Sequence, residues 1–485
     1  MDALLSLDLG TTGCKAAICS PAGEVLGTSY LEYPLETPSP GWVEQDADLW
    51  WELAQQAICR ALAVSGVAGR EILALSVSSQ GISFVPVDRD GHVLRRAISW
   101  LDMRATAEAA QIRAQVGDVD LFRLTGKRPA PFYVLPKLLW LQRHEPKLCL
   151  QTHKYLLAHD LLLHRLCGAM VTDYTLAGGT LLLDLHHLAW SKSLLATFEV
   201  NPAQIPDLAW AGTPAGELTG EAAKALGLRR GMPIVVGAQD QKCAALGAGI
   251  CPGRATISLG TAAAITCVTQ GAVLDDRQRV PTFPFVAPGQ WVLEGVVGTA
   301  GAALKWLRNM LFPTKSYIEL DHLAEESLPG AGGVRFYPHL SGATSPWWQD
   351  GVQGAFTGLC LATNPGDLVR SVLEGVAFQV RANLDVMAQL CPIEELVLFG
   401  GGARSVLWPR IISAVAGKPV RVAAMADMAN WGACVLAGVG AGLERDQLGV
   451  GLGRRDVMYD PEVSLTACYA ELYGEYCATD PATPK

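Results

Sequence analysis

The chain has 485 residues, half of them apolar and 18% charged, with a formal net charge of −9. Such a length predicts two or three domains rather than one core, and the supply of large apolar side chains excludes a disordered chain. The acidic balance excludes a general nucleic-acid binder, which needs concentrated positive surface, but leaves a nucleotide substrate open, because backbone N–H groups hold phosphates without basic side chains.

The chain begins with a strand-like run, Leu4–Leu9, followed by a tight Thr-rich turn, Gly10–Gly13, and a returning strand, Lys15–Cys19. Pro21–Gly23 reverses the chain again into a strand over Val25–Tyr33. No basic start leads to an apolar segment and a small-residue cleavage site, so no signal peptide is expected. No run of 18 strongly apolar residues predicts a membrane span; a cytoplasmic protein is expected. After the Pro-rich loop 34–40, Asp46 is placed to cap a helix running toward Ala63. Ile72–Ser78 returns to strand, and Phe84–Val87 enters a hairpin turn at Asp88–Gly91. Strands followed by strand–helix alternation predict an α/β core with a mixed sheet.

Residues 131–165 read as mostly helical, punctuated by Pro136 and Pro146. Pro233–Val236 is a short buried strand ending at Gly237, and Ala255–Leu259 leads into a second small-residue turn at Gly260–Thr261. The two turns echo each other. Leu7-Asp8-Leu9-Gly10-Thr11-Thr12 and Ile257-Ser258-Leu259-Gly260-Thr261-Ala262 both set Gly-Thr at the tip of an apolar strand, half a chain apart. Two similar lobes facing a shared cleft would produce that echo, and so would a short coincidence in a Gly-rich chain. In the C-terminal half, Leu368, Val369, Val372, Leu373, Val376, Val380, Leu384 and Met387 give one helix over Pro365–Met387 a burial face. Then come a strand Leu396–Phe399, a glycine turn Gly400–Gly402, helices over Val406–Val415 and Trp431–Ala437, and a frayed end over 481–485. The 13 cysteines include no CxxC and are read as reduced thiols. The nine histidines show no metal-ligand spacing, His186 and His187 included.

Asp8 puts a carboxylate at the end of an apolar strand, where charge is costly unless a cation or several donors meet it. Magnesium held by ATP phosphates would satisfy it; capping its own hairpin is the other reading. Thr11, Thr12 and Gly13 add donors at the same tip, and Lys15 either neutralises phosphate or is solvated. In Gly237-Ala238-Gln239-Asp240-Gln241 a second carboxylate follows a strand and precedes a small-residue run, Ala244–Gly249, suited to close packing. We assign Asp240 to orient and deprotonate an acceptor hydroxyl, with a plain helix cap as the alternative. Gln80, Trp100, Asp102 and Arg104 combine donors, acceptors and an aromatic face as polyol contacts need, although Trp-x-Asp-x-Arg is also compatible with a surface salt bridge beside a packed Trp. Gly400-Gly401-Gly402-Ala403-Arg404-Ser405 lets backbone approach a flat ligand such as adenine.

Together these segments resemble the FGGY carbohydrate kinase family over essentially the whole chain. Asp8-Leu9-Gly10-Thr11-Thr12-Gly13-x-Lys15 resembles its first phosphate motif, and Gly400–Ser405 with Trp408-Pro409 and Gly417-Lys418-Pro419-Val420 resembles its C-terminal signature. The resemblance implies two actin-like, ribonuclease-H-like domains around a nucleotide and sugar cleft, with ATP and Mg²⁺ bound there. It implies an aspartate base at Asp240 and metal ligation by Asp8 and Asp240. It also implies phosphate contacts at Thr11, Thr12, Gly13, Lys15, Gly260 and Thr261, and adenosine-side contacts at Gly401, Gly402 and Ser405. Residues 1–236 are expected to form the sugar-binding domain and residues 237–485 the nucleotide-binding one.

Within the family, Gly41-Trp42-Val43-Glu44-Gln45-Asp46, Trp100-x-Asp102-x-Arg104 and the run after Asp240 are most similar to xylulokinases. Two positions depart. Xylulokinases usually carry Gly-Gln-Met-His-Gly where this chain has Ser79-Gln80-Gly81-Ile82-Ser83, and usually Asn where it has Gln241. Gly81 and Gln241 therefore line an altered acceptor pocket. D-xylulose, giving D-xylulose 5-phosphate, is the first candidate, with another ketose, an acyclic polyol or a non-catalytic sugar sensor as alternatives. Asp427 stands where the family usually has glutamate. The implied partners are small molecules, with a homodimer expected.

Overall fold

Two mixed sheets repeat one strand plan in the computed structural model, which describes residues 2–425, 427–444, 447–449 and 456–483. In the first sheet, Ala3–Leu9, Gly13–Cys19 and Val25–Glu32 form an antiparallel meander. Ile72–Ser79 then pairs parallel to Ala3–Leu9, and Pro233–Gln239 parallel to Ile72–Ser79, with Pro214–Glu217 antiparallel at the edge. In the second sheet, Gly253–Leu259, Ala263–Thr269 and Trp291–Val297 form the meander, and Ile393–Phe399 and Val420–Val422 add parallel strands in the same order. The Gly10-Thr11-Thr12 and Gly260-Thr261-Ala262 turns thus occupy the same hairpin of a repeated unit.

Ala3–Leu9 is buried almost throughout instead of alternating, because helices cover both faces of its sheet. On one face lies Ala47–Ser65, with Trp50, Ala54, Ala57, Ile58 and Ala61 buried inward. As expected, Asp46 is its N-cap, accepting from the Asp48 and Leu49 N–H groups at 3.1 and 3.3 Å. The other face is covered by Met428–Gly440, a helix from the far end of the chain. That helix also lies against Asp240–Gly247, and the two approach backbone to backbone. A Cβ on Gly432 would sit 1.8 Å from the Cys243 carbonyl oxygen, and one on Gly247 2.4 Å from that of Met428. The small-residue run after Asp240 exists for this contact.

Helix Pro365–Met387 forms over the predicted span, begun by a capping box of Asn364 and Asp367, and its apolar face fills the C-terminal core. Three expectations need revision. The helical stretch 131–165 is interrupted by a strand, Lys154–Leu157, that joins a four-stranded sheet with Phe84–Val87, Ala97–Ile98 and Glu44–Gln45. Residues 481–483 are not frayed: Ala482 is fully buried, its N–H donating to Asp480 and its carbonyl accepting from Gln349; residues 484–485 lie outside the described residues. Finally, a division at 236/237 falls inside strand Pro233–Gln239, a member of the first sheet.

Candidate active site

The chemistry collects at the C-terminal ends of three adjacent parallel strands, where open α/β sheets present ligands. Asp8, Ser78 and Ala238 are register partners across Ala3–Leu9, Ile72–Ser79 and Pro233–Gln239. Asp240 follows directly, as the first residue of its helix. Ser78 Oγ donates to Asp8 Oδ1 at 2.7 Å. Asp240 Oδ1 accepts two bonds, from Gln239 Nε2 at 2.5 Å and from the Gln241 N–H at 2.7 Å. Among the described residues its Oδ2 takes none.

The carboxylates feel one another. Burial pushes Asp8 up to about 6, the charge of Asp427 adds to that, and Ser78 and Lys15 oppose it. Burial pushes Asp240 up to about 7, Asp8 adds to that, and the Gln241 N–H and Lys242 oppose it. Buried carboxyl groups with a further acid beside them are costly as anions, and a divalent cation would offset that cost. Asp427 is drawn in from the other lobe: Lys15 Nζ is 2.9 Å from it, and it caps Met428–Gly440 while accepting from Asn430 Nδ2 at 2.9 Å. Asn430 in turn accepts from Ser6 Oγ at 2.7 Å, which ties the two lobes behind the site. Lys15 is thus engaged with protein, neither simply solvated nor free.

At the turn tips, Thr12 and Thr261 are exposed and Thr11 is half-buried. The carbonyls of Gly260 and Thr261 accept from Gly301, Ala300 and Ala302 at the start of helix Gly301–Leu311, so this turn is anchored from behind. In the glycine cluster, Gly400 has φ +96°, where a Cβ would meet the Leu259 carbonyl oxygen at 2.9 Å. Gly401 is exposed, with nothing within 4 Å of its Cβ position. Ser405 Oγ accepts the Trp408 N–H at 2.9 Å and so starts the next helix.

The four expected acceptor contacts separate into one exposed side chain and three buried ones. Trp100 is exposed, and its indole N–H donates to Thr11 Oγ1 at 3.0 Å, linking its loop to the first Gly-Thr turn. Gln80 is buried and its amide is taken up internally. Nε2 donates to Gln45 Oε1 at 3.2 Å, and Oε1 accepts from Ser83 Oγ at 3.1 Å. Gln45 reaches the Thr11 carbonyl at 2.7 Å, and Ser83 accepts the Trp100 N–H at 3.0 Å, so Gln80 is the hub between the same two loops. Asp102 and Arg104 have fully buried side chains that pair with each other, Arg104 Nη2 also reaching Glu44 at 2.8 Å and its guanidinium stacking 3.9 Å over Trp42. The surface salt bridge considered from the sequence is therefore an interior clamp. Gly81 packs against Gln239, and Ile82, where xylulokinases usually have His, takes φ +55°, a strained conformation for a β-branched residue.

Several residues escaped the sequence reading. Gln45, Ser83 and Gln239 lie inside segments singled out from the sequence but received no role there. Beside them, Lys242 pairs with Glu294 at 2.5 Å, and buried Lys127 donates to the Thr282 carbonyl at 2.8 Å, with Phe283 lying against both ammonium groups. Burial pushes the Lys127 amine well below its ordinary range, and the charge of Lys242 adds to that. Both lysines stand among polar or small neighbours, Thr125-Gly126-Lys127-Arg128 and Asp240-Gln241-Lys242, so their burial has no local signature.

Paired Gly-Thr turns, one per lobe, and acidic side chains at the strand ends between them define a two-lobed, actin-like phosphotransfer fold. Sequence comparison agrees. Residues 3–247 match the FGGY family of carbohydrate kinases, N-terminal domain, and residues 255–441 its C-terminal domain; the chain belongs to that family. It is 32% identical over 447 residues to the xylulose kinase of Escherichia coli K12, covering 91% of this chain and 90% of that one. It is 31% identical to the glycerol kinase of Citrifermentans bemidjiense, covering 91% of each. The solved structure of a xyloylose kinase from Brucella ovis superposes with a TM-score of 0.90 at 31% identity over 99% of both chains. The chain is thus a carbohydrate kinase, of a family that phosphorylates alcohol groups with ATP. Among the described residues, no helix is long and apolar enough to cross a membrane.

Proposed function

We propose that the chain transfers the γ-phosphoryl group of ATP to the terminal hydroxyl of a small sugar, D-xylulose giving D-xylulose 5-phosphate being the first candidate. The observation that carries this reading is Asp240: two donors hold its Oδ1, while Oδ2 takes no bond among the described residues. Asp240 aligns the acceptor hydroxyl and takes its proton as the oxygen bonds to phosphorus and the bond to ADP breaks. Thr11, Thr12, Gly13, Gly260 and Thr261 hold the phosphates, Gly401 and Gly402 admit the adenosine end, and Trp100 covers the C–H face of the acceptor. Asp8 and Asp240 would hold Mg²⁺, which neutralises charge on the phosphates when bound. Lys15, Asp427, Gln80, Asp102 and Arg104 act as supports for these groups. The similarity to enzymes named xylulose kinase supports the acceptor class.

One observation favours a second acceptor class. Gly81 and Ile82 replace the Met-His pair usual in xylulokinases and remove a polar side chain from the pocket, which suits a different ketose or an acyclic polyol. Lobe division belongs to the proposal too. The first lobe carries the acceptor loop and first phosphate turn, the second the other turn and the glycine cluster, with the boundary after Gly247 because strand Pro233–Gln239 belongs to the first sheet. A cytoplasmic homodimer completes the reading, and light scattering on the purified chain reads its mass.

The test is ATP-dependent sugar-phosphate formation over pentuloses, hexuloses and small polyols, with wild type and Asp240→Asn. Asp240→Asn should bind nucleotide and acceptor normally and lose about a thousandfold or more in turnover. Near-normal turnover would remove Asp240 from the reaction.

A further inference from the structure

Gln239 stands between the catalytic strand end and the altered acceptor loop. Its backbone N–H is fixed to Thr175 Oγ1 at 2.9 Å, and Thr175 is itself buried behind the strand. The side chain is therefore presented from a rigid base. Its Nε2 donates to Asp240 Oδ1 at 2.5 Å. Its Oε1 is buried and, among the described residues, has no hydrogen-bond partner. On its other side lies Gly81, from whose Cβ position Gln239 Cγ and Nε2 are each 3.4 Å away. A methionine at 81, as xylulokinases usually have there, would start from a Cβ already in van der Waals contact with Gln239. Glycine at 81 and glutamine at 239 thus fit as a pair.

A buried carbonyl oxygen left without a donor costs roughly 1–3 kcal/mol, and such orphans in native structures mark a missing partner. This one belongs to the same amide that grips the proton acceptor. We infer that Gln239 is a positioning and specificity-determining residue for the phosphoryl transfer. Its N–H holds Asp240 Oδ1 so that Oδ2 meets the reacting hydroxyl, and its Oε1 accepts a hydrogen bond from the hydroxyl on the neighbouring carbon of the acceptor. The inference rests on the kinase reading above. It assigns the enzyme an acceptor with vicinal hydroxyls at its reacting end, and it replaces the discrimination that a Met-His pair would exert with one made by an amide.

The test uses the purified full chain, saturating MgATP, and two acceptors, D-xylulose and its 4-deoxy analogue, which lacks the hydroxyl beside the reacting carbon. Wild type should prefer D-xylulose by about tenfold to a hundredfold in kcat/KM. Gln239→Met keeps the length and removes both polar atoms. It should lower kcat/KM on D-xylulose by a similar factor, compress the preference to about threefold or less, and leave KM for ATP unchanged. Gln239→Glu retains a carbonyl acceptor but loses the donor to Asp240, so it should keep the preference while kcat falls. An unchanged preference in Gln239→Met would overturn the inference while leaving the kinase reading intact. If Gln239→Met fails to fold by thermal melting, Gln239→Glu decides alone, and wild-type kcat in that variant overturns the positioning role. No turnover of D-xylulose by folded, ATP-binding wild type would overturn the acceptor reading and this inference with it.

Discussion

Removing the carboxylate of Asp102 separates a sugar contact from an interior clamp. Asp102 is fully buried; its oxygens accept from Arg104 Nε at 2.9 and 3.0 Å, Arg104 Nη2 at 2.7 Å, the Arg104 N–H at 3.0 Å and the Val43 N–H at 2.6 Å. In Asp102→Ala, the Arg104 guanidinium stays buried against Trp42 with Glu44 as its remaining acidic partner, and its Nη1 already lacks a bond. Breaking one side of a buried ion pair costs about 3–5 kcal/mol. The two freed backbone N–H groups add to this, and the retained Glu44 contact subtracts, so about 4 kcal/mol is the working figure. For a lobe of roughly 240 residues each kcal/mol lowers the melting temperature by about 2–4 °C, or about 8–16 °C in all. Asp102→Asn keeps one acceptor and should fall about half as far.

The assay is thermal melting beside steady-state kinetics. Because Asp102 closes the loop that carries Trp100, the KM for the acceptor should rise while the KM for ATP holds. The refuting result is specific: a melting temperature within about 2 °C of wild type together with a large rise in acceptor KM. Asp102 would then touch the acceptor, and its burial in this structure would describe a closed state that opens to bind.

Two further perturbations test the frame around the site. Burial pushes the Lys137 amine down to about 7, against the pull of Asp102 and with the push of Arg104, while it donates to the Ser99 and Phe132 carbonyls at 2.6 and 2.9 Å. Its pKa in the unfolded chain is about 10.4, so between about pH 7 and 10 the unfolded state binds the extra proton, and folding stability from this residue rises with pH. The melting temperature of wild type minus that of Lys137→Met should therefore increase from pH 7 to pH 9.5; a difference that falls with pH refutes the sign. Gly432→Ala pushes a methyl into the Cys243 carbonyl, 1.8 Å from its ideal position. Neither helix backbone yields easily, so the loss should reach about 3 kcal/mol, read as a lower melting temperature; a neutral change would mean the helices are free to separate.

Legibility in the sequence followed the distance between partners. Asp8, Asp240 and both Gly-Thr turns were legible because each is a polar interruption at the end of an apolar strand, a pattern complete within a dozen residues. The duplicated sheets were legible only as an echo of those turns. Their strand order is set by pairings such as Gly253–Leu259 with Ile393–Phe399, made across more than a hundred residues. Strand Lys154–Leu157 was missed because four residues between two helices are too few to show a period of two. Side-chain networks were less legible still. Arg104 meets Glu44 from 60 positions away, Lys242 meets Glu294 from 52, and Ser6 meets Asn430 from 424. In each case the residue type was visible and the partner was not, so the pairing of Asp102 and Arg104 with each other and with Glu44 could not be read from the sequence.

The same distances explain why the acidic cluster has to be built across the lobes. Asp8 lies near the end of one strand and Asp240 directly follows another strand of the same sheet. Met428–Gly440 lies across that sheet and brings Asp427 to Lys15, while Gly432 and Gly247 hold it close to the helix that Asp240 begins. Burial is the larger push on both carboxyl groups, and the charge that this helix brings at Asp427 adds to it at Asp8. The acidic cluster is thus assembled from both ends of the chain on one sheet, with Asp427 arriving on a helix about 420 positions after Asp8.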